Sequence, residues 1–195
     1  MNSPSKKEMT VFSEKLNRLW REDKMKEAKK LLLAQVEKYP DEYFLWTSLA
    51  QTCSGLGEDI SALEFSKRAL ALCDDDVLVL YNHALALIET DAYKEALPFC
   101  QQILKESVES ISQNGEGVKW AKSIRNDTMY LKAIILHHLG EYDQALCVLK
   151  QLLTMRERGV YSDFTKKQIL HKVKTIEHAI SETSDMSIAP QRKKQ

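Results

Sequence analysis

The chain has 195 residues with only 6 Gly and 4 Pro, 44% hydrophobic and 29% charged residues, which is the balance of a globular, mainly helical domain. Lys plus Arg and Asp plus Glu number 28 each, so no global field draws the chain to nucleic acid or to an anionic membrane. The opening "MNSPSKKEMTVF" lacks the apolar run of a signal peptide, and no stretch approaches the ~20 apolar residues that span a bilayer; the expected location is cytoplasmic.

In chain order, residues 1–8 are expected to be a flexible N-terminus, followed by helical patterns at Val11 to Arg21 and in "DKMKEAKKLLLAQVEKYP", Asp23 to Pro40. The same layout recurs. Tyr43 to Ser54 precedes "GEDISALEFSKRALALCD", Leu78 to Glu89 precedes "DAYKEALPFCQQILKESV", and Asn126 to Leu139 precedes "GEYDQALCVLKQLLTMRE". Each second segment opens on a small or acidic turn residue and places alanine five positions on, at Ala28, Ala62, Ala96 and Ala145. Alanine there lets two antiparallel helices approach closely, and Gly or Asp at the turn suits a backbone leaving the helical region. The expected units are about 9–42, 43–76, 77–110 and 126–159, each a helix, a short turn and a helix.

The register breaks once, over an insertion at 111–125. "QNGEG" within it reads as a loop, and Val118 to Arg125 lengthens the following helix. Trp120 among Lys119, Lys122 and Arg125 is a basic, aromatic candidate patch, against the plainer expectation of a packed tryptophan with solvated cations. A capping helix is expected at 162–183, with Ser162 or Asp163 as its cap and Ile169, Val173, Ile176 and Ile180 along one seam; its opposite stripe is Lys167, His171, Lys174 and His178. Residues 184–195 read as a disordered tail.

No catalytic constellation emerges. "GLGED" at Gly55 fills a repeat turn, "GEG" at Gly115 lacks the strand that precedes a phosphate loop, and no nucleophile signature is present. Cys53, Cys73, Cys100 and Cys147 are widely spaced and are expected to be reduced and mostly buried. His137 and His138 fall in the last turn of a helix, where they suit the negative end of its dipole; adjacent helical positions point about 100° apart, a poor chelating pair. His138 with Glu141 is the weak metal candidate. The chain is expected to be no enzyme, with no cofactor and no metal.

The first three alanines lie 34 residues apart, and "LWTSLAQTCSGLGEDISALEFSKRAL" carries Trp46, Leu49, Ala50, Gly57, Ala62 and Ala69 in the pattern of the tetratricopeptide repeat (TPR), which the chain resembles. Lys15, His83 and Lys132 depart from it, standing where a leucine is usual. The resemblance implies an all-α, right-handed α-solenoid of about four TPR-like helix pairs plus the C-terminal capping helix. It also implies a concave groove lined by the first helices of the units. Carried over position by position, that groove is lined by Thr10, Ser13, Asn17, Trp20 and Arg21, then Phe44, Thr47, Gln51 and Ser54, then Leu78, Tyr81, Leu85, Ile88 and Glu89, and finally Asp127, Tyr130, Ile134, His137 and His138. Family members that grip a C-terminal carboxylate do so with lysine, asparagine and arginine. Only Asn17 matches, with Ser13, Ser48, Leu78 and Asn82 at the other places, so an apolar or amphipathic peptide or helix is the expected ligand. The expected function is a protein–protein interaction adaptor or scaffold. The alternative is a small secretion-type chaperone that shields apolar segments of a secreted protein and dimerises through an apolar stripe on its first helix. A protein or peptide partner is expected, with no nucleic acid and no membrane insertion; a homodimer and a groove filled by the chain itself both stay open.

Overall fold

The computed structural model describes residues 3–114, 117–156 and 162–188. Among these, ten helices follow one another: α1 (Lys6–Arg21), α2 (Met25–Lys38), α3 (Tyr43–Gly55), α4 (Asp59–Leu72), α5 (Val77–Glu89), α6 (Tyr93–Lys105), α7 (Val108–Asn114), α8 (Val118–His138), α9 (Tyr142–Met155) and α10 (Lys166–Ile188). The described residues contain no strand. The fold is all-α and built from helix pairs, and it divides into two compact units, one to Phe99 and one from Cys100.

Four turns share one geometry. Asp23, Gly57, Asp91 and Gly140 have φ of 56°, 70°, 59° and 79°. After each, the next backbone N–H reaches back five residues: Lys24 to the Leu19 carbonyl, Glu58 to Cys53, Ala92 to Leu87 and Glu141 to Leu136, at 2.8–2.9 Å. This is a Schellman closure, in which a left-handed residue satisfies the orphan carbonyls of the preceding helix. Five positions after each such residue stands a fully buried alanine: Ala28, Ala62, Ala96 and Ala145.

In the first unit, α1 to α4 share a core of Phe12, Leu16, Leu19, Leu32, Leu45 and Leu49, with Ala28 and Ala62 at the close approaches. Side-chain hydrogen bonds between residues about one repeat apart fix the stacking. Trp20 Nε1 donates to Thr52 Oγ1 at 3.1 Å. The Tyr43 hydroxyl donates to Asp76 Oδ2 at 3.4 Å, and the Ser54 hydroxyl to Glu89 Oε1. Asp76 also caps α5 by accepting from the Leu78 and Val79 amides.

In the second unit, α8 and α9 pair and α10 lies on α9, burying Leu136, Leu149, Leu152, Ile169, Val173 and Ile176 together. The seam expected on the last helix is the one that packs, with Ile180 partly buried against it. The stripe of Lys167, His171, Lys174 and His178 is exposed.

Several boundaries differ from the sequence expectation. The first helix begins at Lys6 rather than near residue 9, because Ser5 and Glu8 form a capping box: the Glu8 amide donates to Ser5 Oγ, and the Ser5 amide to Glu8 Oε2. The insertion at 111–125 is largely helical over its described residues, 111–114 and 117–125. Its first part closes α7, with Gln113 and Asn114 in the helix, and Val118 onward extends α8 to 21 residues. The last helix is capped by Thr165 in a box with Gln168, in place of Ser162 or Asp163, and it runs on through 184–188. Residues 189–195 of the expected tail lie outside the described residues. Cys53 and Cys100 are buried, whereas Cys147 faces solvent on α9; all four cysteines are free thiols.

Candidate functional site

The first helices of the repeats carry the expected groove residues. In the first unit α1 bears Asn17 and Trp20, α3 bears Phe44, Thr47 and Gln51, and α5 bears Leu78, Tyr81, Leu85 and Ile88. The Trp20–Thr52 and Ser54–Glu89 hydrogen bonds hold these three helices side by side. Asn17 and Gln51 are exposed; Trp20, Phe44, Leu78, Leu85 and Ile88 are half-buried. Two of the residues differ from expectation. Tyr81 is only 7% exposed and Thr47 only 2%, with the Thr47 hydroxyl donating to the Tyr43 carbonyl at 2.9 Å. Both lie beneath the surface, so neither is exposed as the register expects. Two of the positions that a carboxylate clamp uses are also closed. Ser48 and Asn82 are buried, and Asn82 Nδ2 donates to the Leu78 carbonyl at 2.8 Å.

The second unit places Asp127, Tyr130, Ile134, His137 and His138 on α8, and there the chain covers some of these positions itself. The Phe164 ring stacks on Tyr130 with centroids 4.1 Å apart, the Ser162 hydroxyl donates to Asp127 Oδ1, and Arg156 fixes the Phe164 carbonyl at 2.6 Å. Burial pushes the Asp127 carboxyl up to about 6, with the Ser162 hydrogen bond pulling the other way. Ile134 is half-buried.

His137 and His138 meet edge to face, centroids 5.2 Å apart, and His137 also lies 5.8 Å from the Tyr142 ring. The helix end is closed by backbone bonds to the Leu136 and His137 carbonyls. His137 Nδ1 is buried without a hydrogen-bond partner, and desolvation, then the Lys172 charge, lowers the pKa of the ring. Among the described residues no group of three His, Cys, Asp or Glu side chains is placed to hold a metal. In the basic patch, Arg125 Nη1 donates to the Leu104 and Glu106 carbonyls at the end of α6, Lys122 and Trp120 are half-buried, and only Lys119 is fully exposed.

A second surface, absent from the sequence expectation, lies between α1 and α2. A cavity of about 430 Å³ there is lined by Met9, Val11, Phe12, Leu31 and Tyr39, with Lys7, Glu8, Lys15 and Lys38 around it. Val11 is 59% exposed. The signal is present in the sequence as Lys7, Val11 and Lys15, spaced four apart along one side of a helix, next to the face that buries Phe12, Leu16 and Leu19.

No helix among the described residues is long and apolar enough to cross a membrane. No family model matches the chain, and no curated protein does. Solved structures do. MamA of MSR-1 superposes with a TM-score of 0.64 at 13% identity over 90% of this chain and 88% of that one. MamA of Desulfovibrio magneticus RS-1 gives 0.58 at 13% identity, over 93% and 97%. A Podospora anserina protein of the kinesin light chain type, with nearly identical TPR-like repeats, gives 0.66 at 14% identity, over 94% and 92%. Identities this low speak to architecture alone, and the architecture, with its four Schellman turns and four buried alanines in register, is that of the tetratricopeptide-like helical repeat.

Proposed function

We propose that the chain is a protein–protein interaction module that takes an apolar or amphipathic peptide or helix against the groove face of its first unit. The observation that carries this is the row of half-buried apolar side chains, Phe44, Leu78, Leu85 and Ile88, on α3 and α5, beside exposed Asn17 and Gln51 and with no cation among them. Partly open aliphatic and aromatic side chains on a rigid helical support gain most from desolvation by a partner. In the second unit Phe164 and Ser162 cover the equivalent positions, which directs the proposal to the first unit. The outward side of α1 alternates Lys7, Val11 and Lys15, and this argues against the apolar dimer seam of a secretion-type chaperone.

The test is affinity capture on the immobilised full chain with identification of bound proteins, followed by titration of each candidate. Leu85→Ala is expected to weaken a groove ligand about tenfold or more, at ~1.4 kcal/mol per decade, with little change when salt is raised. A partner indifferent to Leu85→Ala and to Phe44→Ala, yet lost on neutralising Lys119, Lys122 and Arg125, would move the site to the extended start of α8.

A further inference from the structure

We propose that the cleft between α1 and α2 is a second docking site, for a partner helix whose apolar face is flanked by carboxylates. Its cavity of about 430 Å³ lies in the ~300–1,000 Å³ range of ligand pockets. Its lining is almost wholly side chains of two helices: Met9, Val11 and Phe12 from α1, Leu31 from α2, and Tyr39 at the end of α2. Side-chain ridges of a helix pair accept the ridge of a third helix, and Val11, 59% exposed, is the ridge residue left without cover.

The rim sets the charge of the occupant. Lys7 and Lys15 stand one helical turn before and after Val11, and Lys38 stands across the cleft. Among the described residues neither Lys7 nor Lys15 makes an ion pair. The one carboxylate on the rim, Glu8, is already engaged: it accepts from the Ser5 amide and hydroxyl at 2.9 and 2.7 Å and lies 3.7 Å from Lys38. The cleft therefore presents an apolar floor flanked by two cations without an ion-pair partner, Lys7 and Lys15, and by the Lys38–Glu8 pair. Complementary charge favours an acidic partner and raises its on-rate, and like charges repel. That same rule selects against a second copy of this chain. Two α1–α2 faces would oppose lysine to lysine, and the outward stripe of α10, Lys167, His171, Lys174 and His178, is basic or titratable.

The experiment uses the full chain and two labelled synthetic amphipathic helices of about 18 residues with identical leucine faces, one flanked by glutamate and one by lysine, read by fluorescence anisotropy. The glutamate helix is expected to bind at least tenfold more tightly than the lysine helix, and Val11→Asp, at an exposed position, to weaken it at least tenfold. Lys7→Glu with Lys15→Glu should reverse the preference. Leu85→Ala, on the groove face, should leave this binding unchanged, which separates the cleft from the groove. Equal binding of the two helices, binding of neither, or indifference to Val11→Asp would overturn the proposal; so would loss on Leu85→Ala, or a doubled solution mass abolished by Val11→Asp, which would make the occupant a second copy.

Discussion

Phe164 lies stacked on Tyr130, ring centroids 4.1 Å apart and planes 27° from parallel, so a residue from the segment before α10 covers a position where the repeat pattern places a ligand contact. The neighbouring Ser162–Asp127 hydrogen bond and the Arg156 contact to the Phe164 carbonyl make this a three-point attachment. Stacked aromatic pairs contribute ~0.5–1.5 kcal/mol beyond their buried area, so Phe164→Ala is expected to cost about 1–2 kcal/mol. Urea unfolding measures the loss, and amide exchange around Asp127 and Tyr130 in the middle of α8 should quicken with it. Unchanged exchange there would mean that the stack does not hold the segment.

Acid should act oppositely on the two units. His83 is buried beside Ser66 Oγ, 2.9 Å from Nδ1, and edge-on to Phe99 at 4.8 Å; burial, then the Lys67 charge, pushes its pKa down to about 4. Unfolded, it would take a proton near 6.5, so between pH 6.5 and 4 the unfolded state binds more protons and the first unit loses stability as pH falls. Asp127 runs the other way. Its carboxyl holds a proton up to about pH 6 in the fold against ~3.9 unfolded, so the second unit gains stability as pH falls from 6 to 4. Each full effect is on the order of 3 kcal/mol at ~1.4 per pH unit. Amide exchange as a function of pH reads the units separately. His83→Gln should remove the acid sensitivity of the first, and Asp127→Asn the acid stabilisation of the second.

The repeat turns isolate backbone strain from packing. Gly57 has φ +70°, and a Cβ built there meets nothing within 4 Å. Gly57→Ala should therefore cost only the left-handed penalty of about 1–2 kcal/mol, as a lower urea midpoint with an unchanged slope. A larger loss, or a changed slope, would show that the turn takes part in something other than chain reversal.

The helix pairs were legible in the sequence because each rests on a local rule: alanine five positions after a turn residue, and Gly or Asp where φ must be positive. Those rules act within about one repeat, and Ala28, Ala62, Ala96 and Ala145 obey them. The groove was legible only as a register. Position in a repeat says which side of a helix a residue occupies; how deeply it sinks depends on neighbours far away in sequence, and Tyr81 and Thr47 sink below the surface. The cover on Tyr130 was missed because Phe164 reaches it from 34 residues on, outside any repeat pattern. The cleft was missed for a different reason. Lys7, Val11 and Lys15 resemble an ordinary solvated face until the α2 side chains Leu31, Gln35 and Lys38 are placed opposite.

Under the proposed groove, Tyr81 would support the surface and Leu85 would touch the ligand, and truncating each separates the two roles. They are four residues apart on α5, one turn, yet Tyr81 is 7% exposed and Leu85 half-buried at the surface. Removing a buried aromatic ring leaves a cavity as well as losing its transfer energy, so Tyr81→Ala should destabilise the first unit by on the order of 3 kcal/mol. Tyr81→Phe keeps the ring and should cost far less. Leu85→Ala removes a side chain that is already partly in water; it should cost about 1 kcal/mol or less in stability while weakening a groove ligand about tenfold or more. Thermal unfolding paired with a binding titration on the same three variants reads both columns. If Tyr81→Ala left stability intact and abolished binding, while Leu85→Ala did neither, Tyr81 would be the open anchor and the surface drawn here along Phe44, Leu78 and Leu85 would be misplaced.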